Sequence, residues 1–276
     1  MAPSSSIEVR KLTPHIGAEI LGIDLTEELD EQTFELVREA LLENLVIFFR
    51  DQDITVEQHK RFGRRFGEFH IHPGEQGLPG HPEIIVIHAD EKSKRIAGED
   101  WHSDVSCDPV PPMGSILHIV EQPAVGGDTM FASMYKAYES LSDDMKRFLC
   151  GLTAVHDGEH QFRGRYGHDD SGKYYPKSEH PVVRTHPVTG RRALFVNRIF
   201  TNRIVQLSKS ESDAVLQCLF RHIESPAFHC RFQWRKNSIA FWDNRCAQHQ
   251  AIWDYFPNRR HGRRVTIQGD KPFFRA

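Results

Sequence analysis

The sequence predicts a mainly β protein, a two-sheet jelly roll with helices appended at its flanks. Two observations predict it. From Trp101 onward, short apolar or alternating runs recur between polar excursions, whereas helical spacing is concentrated near residues 30–66 and 208–223. No Gly-rich strand–turn–helix fingerprint is present, which removes the main support for a doubly wound α/β sheet. The 276 residues suit one domain over 1–276, because single β domains of about 200–250 residues are common. No internal repeat, low-complexity tract or linker divides the chain.

The elements follow in order. Ile7–Leu12 alternates as a strand, and Gly17–Leu25 reads as a second with a turn inside it. Phe34, Val37, Ala40 and Leu41 keep helical spacing, which predicts a helix over Asp30–Asn44. Leu45–Phe49 is a continuous apolar run, the pattern of a strand buried on both faces. Thr55 and Gln58 have the form of a capping box opening a helix to about Phe66. Strands are expected at Ile84–Ile87, Ser115–Val120 and Thr129–Phe131. Ser133 and Ser142 can cap short helices, with Gly151 a C-terminal stop. Asp157–Pro181 is polar and aperiodic, a lid or a disordered loop. Ser208 and Glu211 open a helix with Ala214, Val215, Cys218, Leu219 and Ile223 on its apolar face. Phe228–Trp234, Ser238–Trp242 and Arg264–Gln268 close the chain as strands. Trp101, Trp234 and Trp242 are expected in the core.

Composition excludes several classes. A net charge of −3 offers no global basic field for nucleic acid. No apolar run approaches the roughly 18 residues needed to span a bilayer, and the first residues lack the pattern of a signal peptide. The five cysteines are scattered and form no CxxC, which argues against a disulfide framework or zinc knuckle and points to a reducing, cytoplasmic compartment.

The chemistry centres on Trp101-His102-Ser103-Asp104. On an extended strand, residues two apart share a face, so the imidazole of His102 and the carboxylate of Asp104 can reach one ion. With seventeen histidines in the chain such a pair is weak by itself. A third ligand is needed, and His249, downstream of Phe241-Trp242-Asp243-Asn244-Arg245, is the natural candidate. Two histidines and one carboxylate on one face leave positions open, as a non-haem Fe(II) oxygenase requires.

Taken with Gly126-Gly127-Asp128-Thr129, Trp242-Asp243-Asn244-Arg245, His249 and Arg260, this motif resembles the Fe(II)/2-oxoglutarate-dependent taurine dioxygenase family, which includes alkylsulfatases and phenoxyalkanoate dioxygenases. The resemblance extends from the Gly17–Leu25 region to Gly269–Phe273, with five separated motifs in the right order. It implies a double-stranded β-helix, the cupin-like jelly-roll variant, with the metal site at the mouth of the barrel. It further implies that His102, Asp104 and His249 ligate Fe(II), and that Arg260, eleven positions after His249, and Thr129 bind 2-oxoglutarate, with O2 as the oxidant. His72 and Arg264 would hold the anionic head of the substrate. Phe200 and Val105 would lie along it. A homo-oligomer, dimer or tetramer, is the family expectation.

A planar guanidinium suits the distal carboxylate of 2-oxoglutarate better than an amine would. A carboxylate at position 104 favours hydroxylation over halogenation, which needs a small residue there. On a small organosulfonate such as taurine, hydroxylation beside sulfur would yield sulfite and an aldehyde, with succinate and CO2 from the cosubstrate. The segment Ala97-Gly98-Glu99-Asp100 departs from the taurine enzymes, Asp157–Pro181 diverges, and Asp100-Trp101 is similar to the phenoxyalkanoate branch. The same chemistry on an alkylsulfate ester or aryloxyalkanoate therefore stays open. A zinc hydrolase on the same three ligands would leave Arg260 without a role. A non-catalytic cupin-like binding protein would have no need of the triad and Arg260 together.

Overall fold

The computed structural model describes residues 7–164 and 170–275, apart from the side chain of His160. The N-terminal third supplies β1 (Glu8–Lys11), β2 (Ala18–Leu21), α1 (Glu31–Asn44), β3 (Val46–Phe49), α2 (Val56–Arg64) and β4 (Ile84–Ala89). After a turn-rich stretch come β5 (Gly114–Glu121), β6 (Thr129–Ser133), α3 (Met134–Glu139), α4 (Asp143–Leu149) and β7 (Thr153–Asp157). The middle continues with α5 (Glu159–Phe162), β8 (Lys177–Pro181), β9 (Val183–Thr185), β10 (Arg192–Leu194), β11 (Thr201–Ile204) and α6 (Lys209–Ile223). β12 (His229–Phe232), β13 (Ser238–Asp243), β14 (Ala247–Ala251) and β15 (Arg260–Ile267) complete the chain.

The strands form a jelly roll. A seven-stranded sheet runs β1-β2-β3-β13-β5-β15-β4, and a three-stranded sheet runs β12-β6-β14. β2–β3 is parallel, and the pairings across β13, β5, β15 and β4 are antiparallel. The two sheets meet through aromatic rings: Phe48 of β3 stacks on Phe232 of β12 at 3.8 Å and meets the edge of Phe131 of β6 at 5.6 Å. All three are fully buried. Each such ring contributes roughly 1.5–3 kcal/mol by leaving water, so this seam holds the sheets at a fixed separation. The outer face of the large sheet is covered by α1 and α2 through Val37, Leu41 and Phe62.

Local signals act as expected at the helix starts. Asp30 accepts from the Thr33 N–H at 2.8 Å, and Thr55–Gln58 and Ser208–Glu211 form complete capping boxes. The buried stripe of α6 is Ser212, Leu216, Leu219, Phe220 and Ile223, with Val215 partly buried at its edge, while the predicted Ala214 and Cys218 are exposed. The rotation has a polar cause: the Ser212 hydroxyl accepts the Ile204 backbone N–H at 2.8 Å, so a serine is drawn into the interface. Asp157–Pro181 is also not structureless, since α5 and β8 lie within it and β8 pairs along β7; residues 165–169 lie outside the described residues.

The core contains buried histidines away from the cavity. Burial, opposed by nothing stronger, pushes His59 and His156 down to about 3 and His118 and His180 to about 4. These groups are neutral when folded, whereas an unfolded histidine protonates near pH 6.5. Their stability contribution is therefore intact above pH 6.5 and is lost as pH falls from there toward 4–3, each contributing up to about 1.4 kcal/mol per pH unit in that window. Urea denaturation at pH 7.5, 6 and 5 should show a steadily falling midpoint. An unchanged midpoint between pH 7.5 and 5 would contradict it.

Candidate active site

The site is assembled where β14 meets the turn after Gly98. His102 and His249 form an isolated antiparallel bridge: the His102 N–H donates to the His249 carbonyl at 3.1 Å and the His249 N–H to the His102 carbonyl at 2.9 Å. Their rings stand 4.1 Å apart between centroids. The extended strand expected from His102 to Asp104 is replaced by this single bridge followed by a turn. Val105 takes φ 45° and its carbonyl accepts the Asp108 N–H at 3.0 Å. The turn, not strand alternation, returns the Asp104 carboxylate to His102, with Oδ1 3.8 Å from Nε2. Ligand atoms of His102, Asp104 and His249 all lie within 4.8 Å of one another, and all three residues are buried.

The surroundings fix both identity and protonation. His102 Nδ1 sits 2.8 Å from the Asp100 carbonyl, which makes Nδ1 the N–H and leaves Nε2 as the nitrogen facing Asp104. Burial, then the neighbouring His102, keeps His249 well below the usual histidine range, so it is the neutral imidazole a metal needs; its Nδ1 is buried without a hydrogen-bond partner. Burial disfavours the charged form of Asp104, yet the Arg264 guanidinium beside it and the Ser115 hydroxyl hold its carboxyl well below the ordinary carboxylate range. Asp104 Oδ2 accepts from the Ser115 hydroxyl at 2.7 Å, and Oδ1 accepts from Arg264 Nη1 at 2.7 Å. Asn244 braces the same residue from behind: its Oδ1 accepts the Asp104 N–H and the Trp242 indole N–H, both at 3.1 Å. Two imidazoles and an ionised carboxylate in this arrangement fit a divalent iron ion.

A cavity of about 410 Å³ opens beside the triad, with His102, His249, Thr129, Trp234, Arg260 and Arg264 in its wall. Arg260, Gly262 and Arg264 alternate along β15 and are buried, while His261 and Arg263 between them are half-exposed. The predicted strand starting at Arg264 thus begins four residues earlier, and both arginines face inward. Arg260 makes no ion pair among the described residues. Its Nε donates to Gln122 Oε1 at 3.2 Å, and burial lowers it to about 10. A buried cation with no carboxylate partner among the described residues is suited to receive one from a ligand.

Three expected substrate residues are placed differently. His72, Val105 and Phe200 are absent from the described cavity wall. The turn at Val105 directs it into a small cluster with Cys107, Phe162, Ile199 and Phe200. Phe200 meets Phe162 at 5.7 Å, so it packs rather than lines. His72 is half-buried, and its Nδ1 accepts the Gly74 and Glu75 N–H groups at 3.0 and 2.9 Å. Burial, then the charge of Arg264, lowers it to about 3, which places it within electrostatic reach of that guanidinium. Trp234 and Trp242, expected in the core, are buried yet also line the cavity. Ser115 and Gln122 had no sequence signal, because their roles arise from cross-strand neighbours far apart in the chain; Asn244 stood within the Trp242–Arg245 motif, without an assigned role.

A second buried cluster, His186, Asp243 and Cys246, also brings three donors together. Asp243 is already held by Arg245 at 2.9 and 2.7 Å and by His186 at 3.1 Å. The arginine supplies the positive charge a cation would bring, so this cluster anchors the β13–β14 turn.

A jelly roll bearing a buried two-histidine, one-carboxylate triad next to a buried arginine without an ion pair among the described residues defines the class of non-haem iron oxygenases that use a 2-oxo acid. The chain belongs to the taurine catabolism dioxygenase TauD, TfdA family, whose profile matches residues 8–266. It is 35% identical to an alkylsulfatase of Acinetobacter baylyi, over 97% of this chain and 87% of that one. It is 34% identical to an alpha-ketoglutarate-dependent sulfonate dioxygenase of Saccharomyces cerevisiae, over 96% and 68%. A crystal structure of a taurine dioxygenase from Burkholderia xenovorans superposes with a TM-score of 0.84 at 40% identity, covering 97% of this chain and 91% of that one. The protein is a 2-oxoglutarate-dependent dioxygenase using Fe(II) and O2. No helix among the described residues is long and apolar enough to cross a membrane.

Proposed function

We propose that the enzyme, one catalytic domain over residues 1–276, hydroxylates a small organosulfonate of the taurine type at the carbon bearing sulfur. The observation that carries this reading is that the two histidines of the triad and the buried Arg260, which has no ion pair among the described residues, line one cavity. In this reading His102, Asp104 and His249 hold Fe(II), and Arg260 with the Thr129 hydroxyl binds the distal carboxylate of 2-oxoglutarate. Bound iron supplies oxygen activation coupled to decarboxylation of the cosubstrate. The chain supplies position and a dry environment, since Trp242 and Trp234 wall the cavity with apolar surface.

Arg264, with the neutral imidazole of His72 nearby, is the recognition element for the substrate anion. Its Nε is buried without a partner while Nη1 is on Asp104. A sulfonate oxygen would meet that need. Hydroxylation beside sulfur gives an adduct that collapses to sulfite and aldehyde. Kinship with an alkylsulfatase supports a second reading, a sulfate ester hydroxylated beside its ester oxygen and collapsing to sulfate and aldehyde. Five free cysteines support a reducing, cytoplasmic setting; a dimer or tetramer belongs to the same reading, and light scattering would size it.

The test is a substrate panel with Fe(II), 2-oxoglutarate and O2, reading succinate, sulfite and sulfate together. Taurine or another alkylsulfonate should give sulfite stoichiometric with succinate. Sulfate with succinate from alkyl sulfates alone would move the substrate to the ester, and succinate only with aryloxyalkanoates would replace the sulfur substrate altogether.

A further inference from the structure

We propose that Trp234 is a positioning residue of the cosubstrate site, acting through Thr129 and Arg260 at once. The inference rests on the cosubstrate reading above and extends it to a residue outside the motifs. Trp234 lies in the connection between β12 and β13 and is buried. Its indole N–H donates to the Thr129 hydroxyl oxygen at 2.9 Å. A hydroxyl that accepts one hydrogen bond still has its own proton to give. Thr129 begins β6 in the cavity wall, so occupying its oxygen from behind turns the hydroxyl toward donation into the cavity, where a carboxylate accepts. The same indole presents its face to Arg260, whose guanidinium carbon is 5.4 Å from the ring centroid. Arg260 has no carboxylate among the described residues, and an aromatic face is a neutral surface that stabilises a desolvated cation without competing for its N–H groups.

The ring is itself held. Phe232 packs on Trp234 edge-on at 4.9 Å, and Arg50 spans the loop by donating to the Gln233 carbonyl at 2.7 Å and the Ser238 hydroxyl at 3.2 Å. Gln122 fastens Arg260 from another side, its own amide donating to the Gly126 carbonyl at 2.7 Å. The donors aimed at the cosubstrate carboxylate are thus oriented before it arrives, which lowers the ordering cost of binding.

The experiment is calorimetric titration of 2-oxoglutarate into the full chain loaded with Mn(II), which prevents turnover, together with steady-state kinetics on the iron enzyme. Trp234→Phe keeps an aromatic face and removes the N–H together with the five-membered ring of the indole. It should weaken 2-oxoglutarate binding roughly fivefold, the equivalent of one net hydrogen bond of about 1 kcal/mol. The KM for 2-oxoglutarate should rise by the same factor, with kcat at saturation and the KM for the prime substrate unchanged. Thr129→Val should weaken binding also, and the double variant should bind no more weakly than the worse single one, since both changes remove one linked pair. Trp234→Leu, which also removes the aromatic face, should bind more weakly than Trp234→Phe. Unaltered binding by Trp234→Phe, or fully additive losses in the double variant, would overturn the inference. If the wild-type chain itself failed to bind 2-oxoglutarate, the cosubstrate reading would fall first, a distinguishable result.

Discussion

Asp104→Ala is expected to reduce turnover to background and also to lower the melting temperature of the metal-free protein. The first effect follows from the donor set. Asp104 is the only carboxylate in the triad, and its loss leaves two neutral imidazoles. The second effect is less obvious. Asp104 is the ion-pair partner of Arg264 at 2.7 Å, with both side chains buried. Removing one member of such a pair leaves the other charge uncompensated, typically at about 3–5 kcal/mol. In a chain of this length that corresponds to a drop on the order of 6–10 °C. Scanning calorimetry of chelator-treated wild type and variant measures the drop, and metal analysis measures the lost ion. A variant melting within a degree of wild type would show that Arg264 finds another partner and that the pair does not organise the metal-free site.

The second large effect belongs to Arg260→Ala. A buried guanidinium binding a carboxylate in a desolvated cavity contributes several kcal/mol when the partner is removed, so the KM for 2-oxoglutarate should rise on the order of a hundredfold. Turnover at saturating cosubstrate should change far less, because in the proposed reading Arg260 holds the end of the molecule remote from the reaction. Arg260→Lys should fall between the two, keeping charge but losing the planar fork. A hydrolase built on the same triad would be indifferent to the substitution. An unchanged KM would therefore remove the cosubstrate assignment while leaving the metal site standing.

How legible these features were depends on whether the signal was local. Leu45–Phe49 declared a doubly buried strand because every residue is apolar, and β3 is buried at each position. The capping boxes at Thr55 and Ser208 were legible for the same reason: their donors and acceptors lie within three residues. β14 was not. Ala247-Gln248-His249-Gln250-Ala251 shows no apolar alternation, yet its first three residues are buried. The structure explains the glutamine, since Gln248 donates to the Val196 carbonyl at 2.7 Å, a partner no local pattern reveals. On composition alone the run Arg259–Arg264 would pass for a solvated basic patch. Only the pairing Arg260↔Ala89 and Arg264↔Ile85 with β4 shows that alternate arginines turn inward. The triad and Arg260 were readable from motif order. The substrate side was not, because the positions of His72, Val105 and Phe200 depend on a left-handed turn and on how the Phe162 cluster packs.

The bridge between His102 and His249 has a thermodynamic consequence for metal loading. The two imidazoles are brought together, 4.1 Å apart and tilted by 44°, by reciprocal hydrogen bonds between distant parts of the chain, made by main-chain groups and not by the ligand atoms. The loss of freedom in gathering those ligands is thus incurred during folding, driven by the apolar seam between the sheets. An arriving ion meets a socket already shaped, so chelation should empty it without unravelling the barrel. In the other direction, any change that loosens the seam around Phe48 should appear as weakened metal retention well before the protein unfolds.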